Sequence, residues 1–313
     1  MTTFGDFEPL CRHTPSYTWC NLFYRQLQNH SNETLAGLSE DPQSAPIGIN
    51  PVCGIPLVGH TNSFTSSNSL GNIADIVVCG VCIFFVTALI LWTSRRKAAV
   101  GRSELRVFLV LYLLSLPLQL VTTGSIIRQG TTALVVLTAI HAGVVAALFW
   151  TLLANAIVAT QVVEDGTLSS LVPMGILALL FFVATTYISL DVALVITDLF
   201  GPSDPPQAVH STPLFVFTSV WPAAAAFLYF VIMAYIVVGV LRERRPMLYY
   251  LAAAVCFVLG ELAWFLLGKV ICENTNAKID GRFIATLLET ACVGALFMGW
   301  RSITEESWDD YNY

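Results

Sequence analysis

Residues 94–106 read SRRKAAVGRSELR and place Arg95, Arg96, Lys97, Arg102 and Arg106 between two long apolar runs. A basic cluster beside hydrophobic spans is held on the cytoplasmic side of a membrane, whereas long loops and tails cross largely regardless of charge. Upstream no Lys or Arg occurs from Gln26 to Ser94, so the first span is flanked by basic residues on its C-terminal side alone. The N-terminus is therefore expected to cross, which makes its side lumenal or extracellular.

Working outward, the composition fits this reading. The chain has 313 residues, 56% of them hydrophobic and only 12% charged, with a mean hydropathy of +0.70. Soluble domains carry about 25% charged residues, so a polytopic protein with the lipid bilayer as its solvent is expected. The net charge of -6 forms no basic face, which argues against nucleic acid as a partner. The opening MTTFGDFEPLCRH has acids and a proline where a signal peptide needs a basic start and an apolar core. The first span then acts as its own insertion signal.

Seven apolar stretches, each near or above the roughly 20 residues a helix needs to cross hydrocarbon, are expected at about 73–93, 107–127, 134–161, 171–196, 214–241, 247–269 and 282–300. The predicted fold is an all-α membrane protein, a seven-helix bundle over 71–301, with a lumenal, partly irregular leader over 1–70 and a short acidic cytoplasmic tail over 302–313. Seven crossings put the two ends on opposite sides. The predicted cytoplasmic segments hold nine of the fifteen basic residues, Arg242, Arg244, Arg245 and Arg301 joining the first cluster. The lumenal loops and their helix edges hold Arg128, Lys269, Lys278 and Arg282. Pro117 and Pro222 are expected to kink spans two and five. Trp92, Trp300, Tyr249 and Tyr250 stand where interfacial anchors belong. No internal repeat of the kind that inverted-repeat transporters show is visible.

Cys11, Cys20, Cys53 and Cys272 lie outside the apolar runs or at their edge and are disulfide candidates. Four thiols allow three pairings; the short spacing of Cys11 and Cys20 favours a local loop, which leaves Cys53 to tether the leader to Cys272. Cys79, Cys82, Cys256 and Cys292 lie inside the runs as small packing residues. Asn29-His30-Ser31 and Asn32-Glu33-Thr34 match the glycosylation triplet, making Asn29 and Asn32 candidate acceptors on the lumenal side.

Ionisable or strongly polar groups within spans are costly and therefore the default functional candidates. They are His141, Asn155, Asp191, Glu261 and Glu289. The bland reading turns them into the bundle interior, protonated or hydrogen-bonded to neighbours; the functional one has them recognise a partner's transmembrane helix. Spans six and seven carry the densest set of small and mildly polar groups, Gly260, Glu261, Gly268, Thr286, Glu289, Thr290 and Gly294. Such groups permit close, reversible helix association, and they form the candidate binding face. Glu164-Asp165-Gly166 closes span three, where two acids oppose the helix macrodipole; Arg95, Arg96 or Lys97 could offset them. No H-E-x-x-H or G-x-S-x-G motif is present and the histidines do not cluster. Catalysis, a metal site and a cofactor are accordingly not expected.

Five segments, FGDFEPLC (Phe4–Cys11), VGRSELRVFLVLYLL (Val100–Leu114), FWTLLANAIVATQVVEDGT (Phe149–Thr167), ICENTNAKIDGRFIATL (Ile271–Leu287) and WRSITEES (Trp300–Ser307), occur in this order. Together they resemble the fungal chitin synthase export chaperone family over nearly the whole chain. The resemblance implies a non-enzymatic, multi-pass protein of the endoplasmic reticulum that helps its client, a chitin synthase, fold and leave for the cell surface. It implies no catalytic residues, only shared structure at Trp150, Asn155, Gln161, Glu164, Asp165 and Gly166. The segment from Gln26 to Asn50 is longer than the family pattern, and the loop from Phe200 to Pro213 has no counterpart in it. A seven-helix receptor shares the span count and orientation, but span seven has no lysine for a retinal Schiff base and no N-P-x-x-Y, and span three ends in Val163-Glu164-Asp165. A small-solute transporter is the third alternative.

Overall fold

A computed structural model describes residues 4–31, 35, 48–49, 72–95, 101–123, 126–127, 129–197, 199–205, 208–276 and 278–304. Cys53, Asn32, Arg96 and Lys97 lie outside the described residues, as do most of the leader beyond residue 31 and the tail beyond Thr304.

Among the described residues, seven helices are long and apolar enough to cross a membrane: Ile73–Arg95, Arg102–Thr123, Thr132–Ala159, Leu168–Leu194, Thr212–Val240, Arg244–Phe265 and Gly281–Thr304, here spans one to seven. In hydrocarbon each backbone N–H and C=O must find a partner within its own segment, which leaves a helix as the solution for such runs. Span three is the axial member, with 61% of its most apolar stretch buried; span four is peripheral, with 17%. Span four packs along span three, and the axial helix passes it at Gly143, where an added Cβ would come within 2.7 Å of the Phe182 carbonyl.

Several boundaries differ from the sequence expectation by a few residues, and two of them have a structural reason. Span two begins at Arg102 rather than near 107, because Glu104 is buried and bonded, so that the charged first turn is helical. Span six stops at Phe265, and Gly268–Asn274 forms a separate short helix before span seven. There Gly281 meets span six so closely that a Cβ would stand 2.5 Å from the Ala263 carbonyl. Pro222 follows a π-helical stretch, Val216–Val220, and a second, Tyr235–Val240, ends span five. Pro173 lies within span four beside the expected Pro117 in span two. Of the expected anchors, Trp92 and Tyr249 are exposed and Trp300 is half-buried against Phe297. Tyr250 departs from the expectation: it is buried and turned inward to Tyr229 and Gly299.

The described part of the leader, residues 4–31, is a folded plug at one end of the bundle. Short helices at Glu8–His13, Thr18–Leu22 and Tyr24–His30 bury Phe7, Tyr17, Leu22, Phe23 and Leu27 against Val135 and Ala139 of span three, Ile188 and Val192 of span four, Leu214 of span five and Trp264 of span six. Burying one such side chain contributes roughly 1.5–3 kcal/mol. Cys11 and Cys20 are joined by a disulfide. Cys272 is disulfide-bonded as well; the partner expected for it, Cys53, is outside the described residues. Main-chain bonds from Phe7 to Val209 and from Ser211 to Gly5 fasten the plug to the loop between spans four and five.

Candidate functional site

Beneath the plug the spans enclose a cavity of about 370 Å³, walled by aromatic rings and closed above by Tyr17, Thr18 and Trp19 of the leader. Its polar side is a network drawn from spans one, two and seven. Arg282 at the start of span seven is 8% exposed. It donates to Glu289 at 2.9 Å and to the Gln119 side-chain oxygen at 2.6 Å. Gln119 in turn donates to Thr286 at 2.7 Å and to Asp75 at 3.3 Å, and Thr123 donates to the other Asp75 oxygen at 2.6 Å. The guanidinium lies 4.2 Å from the centre of the Trp264 ring, a cation–π contact that the burial of Arg282 strengthens. Buried charges persist only when they are paired and hydrogen-bonded, and this set largely meets that condition.

A second cluster fastens the plug. Asp280, just before span seven, accepts from the Phe283 N–H at 3.0 Å and so caps the helix. Its other oxygen accepts from the Ser16 hydroxyl and from Asn72 at 3.0 Å. Burial, with the nearby Asp75 charge second, raises the Asp280 carboxyl from 3.8 to about 6.

The candidates named from the sequence fall into separate groups. Of the proposed binding face, Thr286 and Thr290 are buried, the latter bonded to the Tyr112 hydroxyl at 2.8 Å. Gly260 packs on Ala285 and Leu288, Gly268 on Pro15 and Gly281, and Gly294 faces Phe85. Glu289 is ion-paired to Arg282. Glu261 lines the cavity and makes no hydrogen bond with any described residue. His141 is buried, 3.3 Å from the Thr122 hydroxyl and packed on Trp19. Asp191 closes the loop after span four by accepting from the Thr197 and Phe200 N–H groups at 2.6 and 2.9 Å.

Three of the shared-structure positions, Asn155, Asp165 and Gly166, form a clip at the end away from the leader. Asp165 accepts from the Gly101 N–H at 2.8 Å, and Glu104 accepts from the Gly166 N–H at 2.7 Å and from Ser170 at 2.5 Å. Asn155 donates to the Glu104 carbonyl at 3.2 Å. Asp165 is thereby met by a backbone N–H at the start of span two. Trp150 donates to the Met174 carbonyl and stacks on Phe181, while Glu164 is exposed and Gln161 has φ 62°.

Asp75, Glu104, Gln119, Asp280 and Arg282 were not singled out as functional from the sequence. A signal was there for Gln119, an amide deep in an apolar run; Asp75 and Arg282 stand within one turn of span ends, where charge is ordinary.

Comparison with known proteins places these features in one family. Residues 3–312 match the family model described as chitin synthase export chaperone. Relatives carrying that name include one from Phaeosphaeria nodorum, 27% identical over 97% of this chain and 83% of the relative. Another from Coccidioides immitis is 27% identical over the same shares, and one from Chaetomium globosum is 28% identical, again over 97% and 83%. No solved structure matches. With the match running from residue 3 to residue 312, the chain belongs to the chitin synthase export chaperone family.

Proposed function

We propose that this protein is a dedicated membrane chaperone of the endoplasmic reticulum that binds a chitin synthase, supports its folding and permits its export, and that it acts by binding rather than by catalysis. The whole-length family match carries this reading. A polytopic client exposes polar intramembrane groups before assembly, each costing several kcal/mol when left unsatisfied in hydrocarbon, and a chaperone shields them until the client is complete. Interhelical hydrogen bonds of about 0.6 kcal/mol hold such a contact and still allow release.

The leader faces the lumen in this proposal, and the basic clip end faces the cytoplasm. The Cys11–Cys20 disulfide on the leader side agrees with an oxidising lumen, and the exposed Arg106, Arg242, Arg244 and Arg245 at the other end agree with the cytoplasm. Asn29, exposed in the last leader helix, is then a glycan acceptor. Of the binding face named from the sequence, Glu261 is the group left open to a partner; Gly260 and Gly268 serve the close packing of the span-six segment on span seven, and Thr286, Glu289, Thr290 and Gly294 are engaged with spans one, two and seven. Affinity purification of the full-length protein in mild detergent tests the function: recovery of a chitin synthase supports it, and recovery of a G protein or of no membrane client contradicts it.

A further inference from the structure

Span five packs chiefly along span three and span six chiefly along span seven, while spans five and six meet less extensively, with Tyr229 against Tyr250. Between them the packing is incomplete. The cavity under the plug occupies one half of this gap, and a second cavity, of about 470 Å³, occupies the other half. Phe108, Leu152 and Leu296 line both, so the two adjoin across this layer and together make a groove that runs from Trp19 at the leader end to Thr304 at the clip end. Both π-helical stretches of span five lie on its wall, giving Thr218 and Ser219 to the first half and Ile236 to the second. Local π-helix is a frequent mark of functional positions.

The charge of the groove states what is missing. Asp75, Glu261 and Glu289 stand against one guanidinium, that of Arg282, which is committed to Glu289 and Gln119. Glu261 lines the first half of the groove without a hydrogen bond to any described residue. A lipid acyl chain offers these groups nothing. A helix laid along the groove offers apolar side chains to the Phe108–Leu152–Leu296 layer and one donor at the depth of Glu261.

We propose that the groove between spans five and six is the docking site for one transmembrane helix of the client, and that this helix carries a basic side chain that pairs with Glu261. The assignment rests on the chaperone reading above. It is tested with full-length protein bearing a benzophenone side chain at Ala223 or Tyr229, inside the groove, and at Ile176 or Leu180, exposed on span four. Photolysis in membranes is expected to join the synthase to the groove positions and not to those on span four. Glu261→Leu is expected to lower recovered synthase about threefold, the effect of one interhelical hydrogen bond, with the melting temperature unchanged. If the synthase is recovered but crosslinks only through span four, or the groove positions capture lipid alone, the groove assignment falls while the chaperone reading stands. If no synthase is recovered with the unmodified protein, both fall.

Discussion

The carboxylate of Asp280, at the start of span seven, accepts a hydrogen bond from the hydroxyl of Ser16 in the leader, 264 residues earlier in the chain. With Asn72 bonded to the same oxygen and the Trp264 indole donating to the Pro15 carbonyl at 3.3 Å, this contact makes the leader the lid of the cavity rather than an appendage.

The contact is pH-dependent in a definite direction. The folded-state value of about 6 lies above the ordinary 3.8, so the stability contributed by Asp280 is fully present below about pH 4 and is lost as pH rises through about 6. The melting temperature of the detergent-solubilised protein is expected to rise between pH 7.5 and pH 5. Asp280→Asn should flatten that part of the profile; an unchanged profile in the variant would show that other groups set it.

Much of the fold was legible because each apolar run is long enough to dictate a membrane helix, whatever its neighbours. The start of span two was not, since Arg102 to Arg106 read as loop until Glu104 meets Gly166, 62 residues on. The inward faces were hidden for a related reason: spans apolar on every side carry no stripe to mark the core, so Gly260 and Thr290 looked as fit for a partner as for span seven and Tyr112. Glu261 and Glu289 stood out as carboxylates in hydrocarbon. That Arg282 would reach Glu289, and that Asp75 and Gln119 would join them, depends on how spans one, two and seven meet.

Arg282 is the keystone of that network. Arg282→Met leaves Asp75 and Glu289 buried without their cation and is expected to cost about 3–5 kcal/mol, as for other buried pairs that lose one partner. Adding Glu289→Leu should restore part of the loss. Thermal melts of the single and double variants decide the matter, and equal losses in both would contradict it.

Opening the Cys11–Cys20 disulfide releases a short loop whose closure contributes about 2–3 kcal/mol in the chain-entropy account. Cys11→Ser with Cys20→Ser is therefore expected to loosen the plug before the bundle. Hydrogen exchange should rise first at Phe7, Leu22 and Leu27, and uniform protection in the variant would show that packing alone holds the leader.

At the other end, Glu104→Ala strands the Gly166 N–H, while the Ser170 hydroxyl keeps the Thr167 carbonyl, at a cost of about 1–3 kcal/mol. Abundance should fall while the synthase recovered per molecule stays constant. A selective loss of synthase with normal abundance would move this clip from structure into client binding.

The most direct measurement follows the client in cells. With this protein removed, a fluorescently tagged chitin synthase is expected to remain in the endoplasmic reticulum and cell-wall chitin to fall, with export restored by the full-length protein. Normal arrival of the synthase at the cell surface in the absence of the protein would contradict the account.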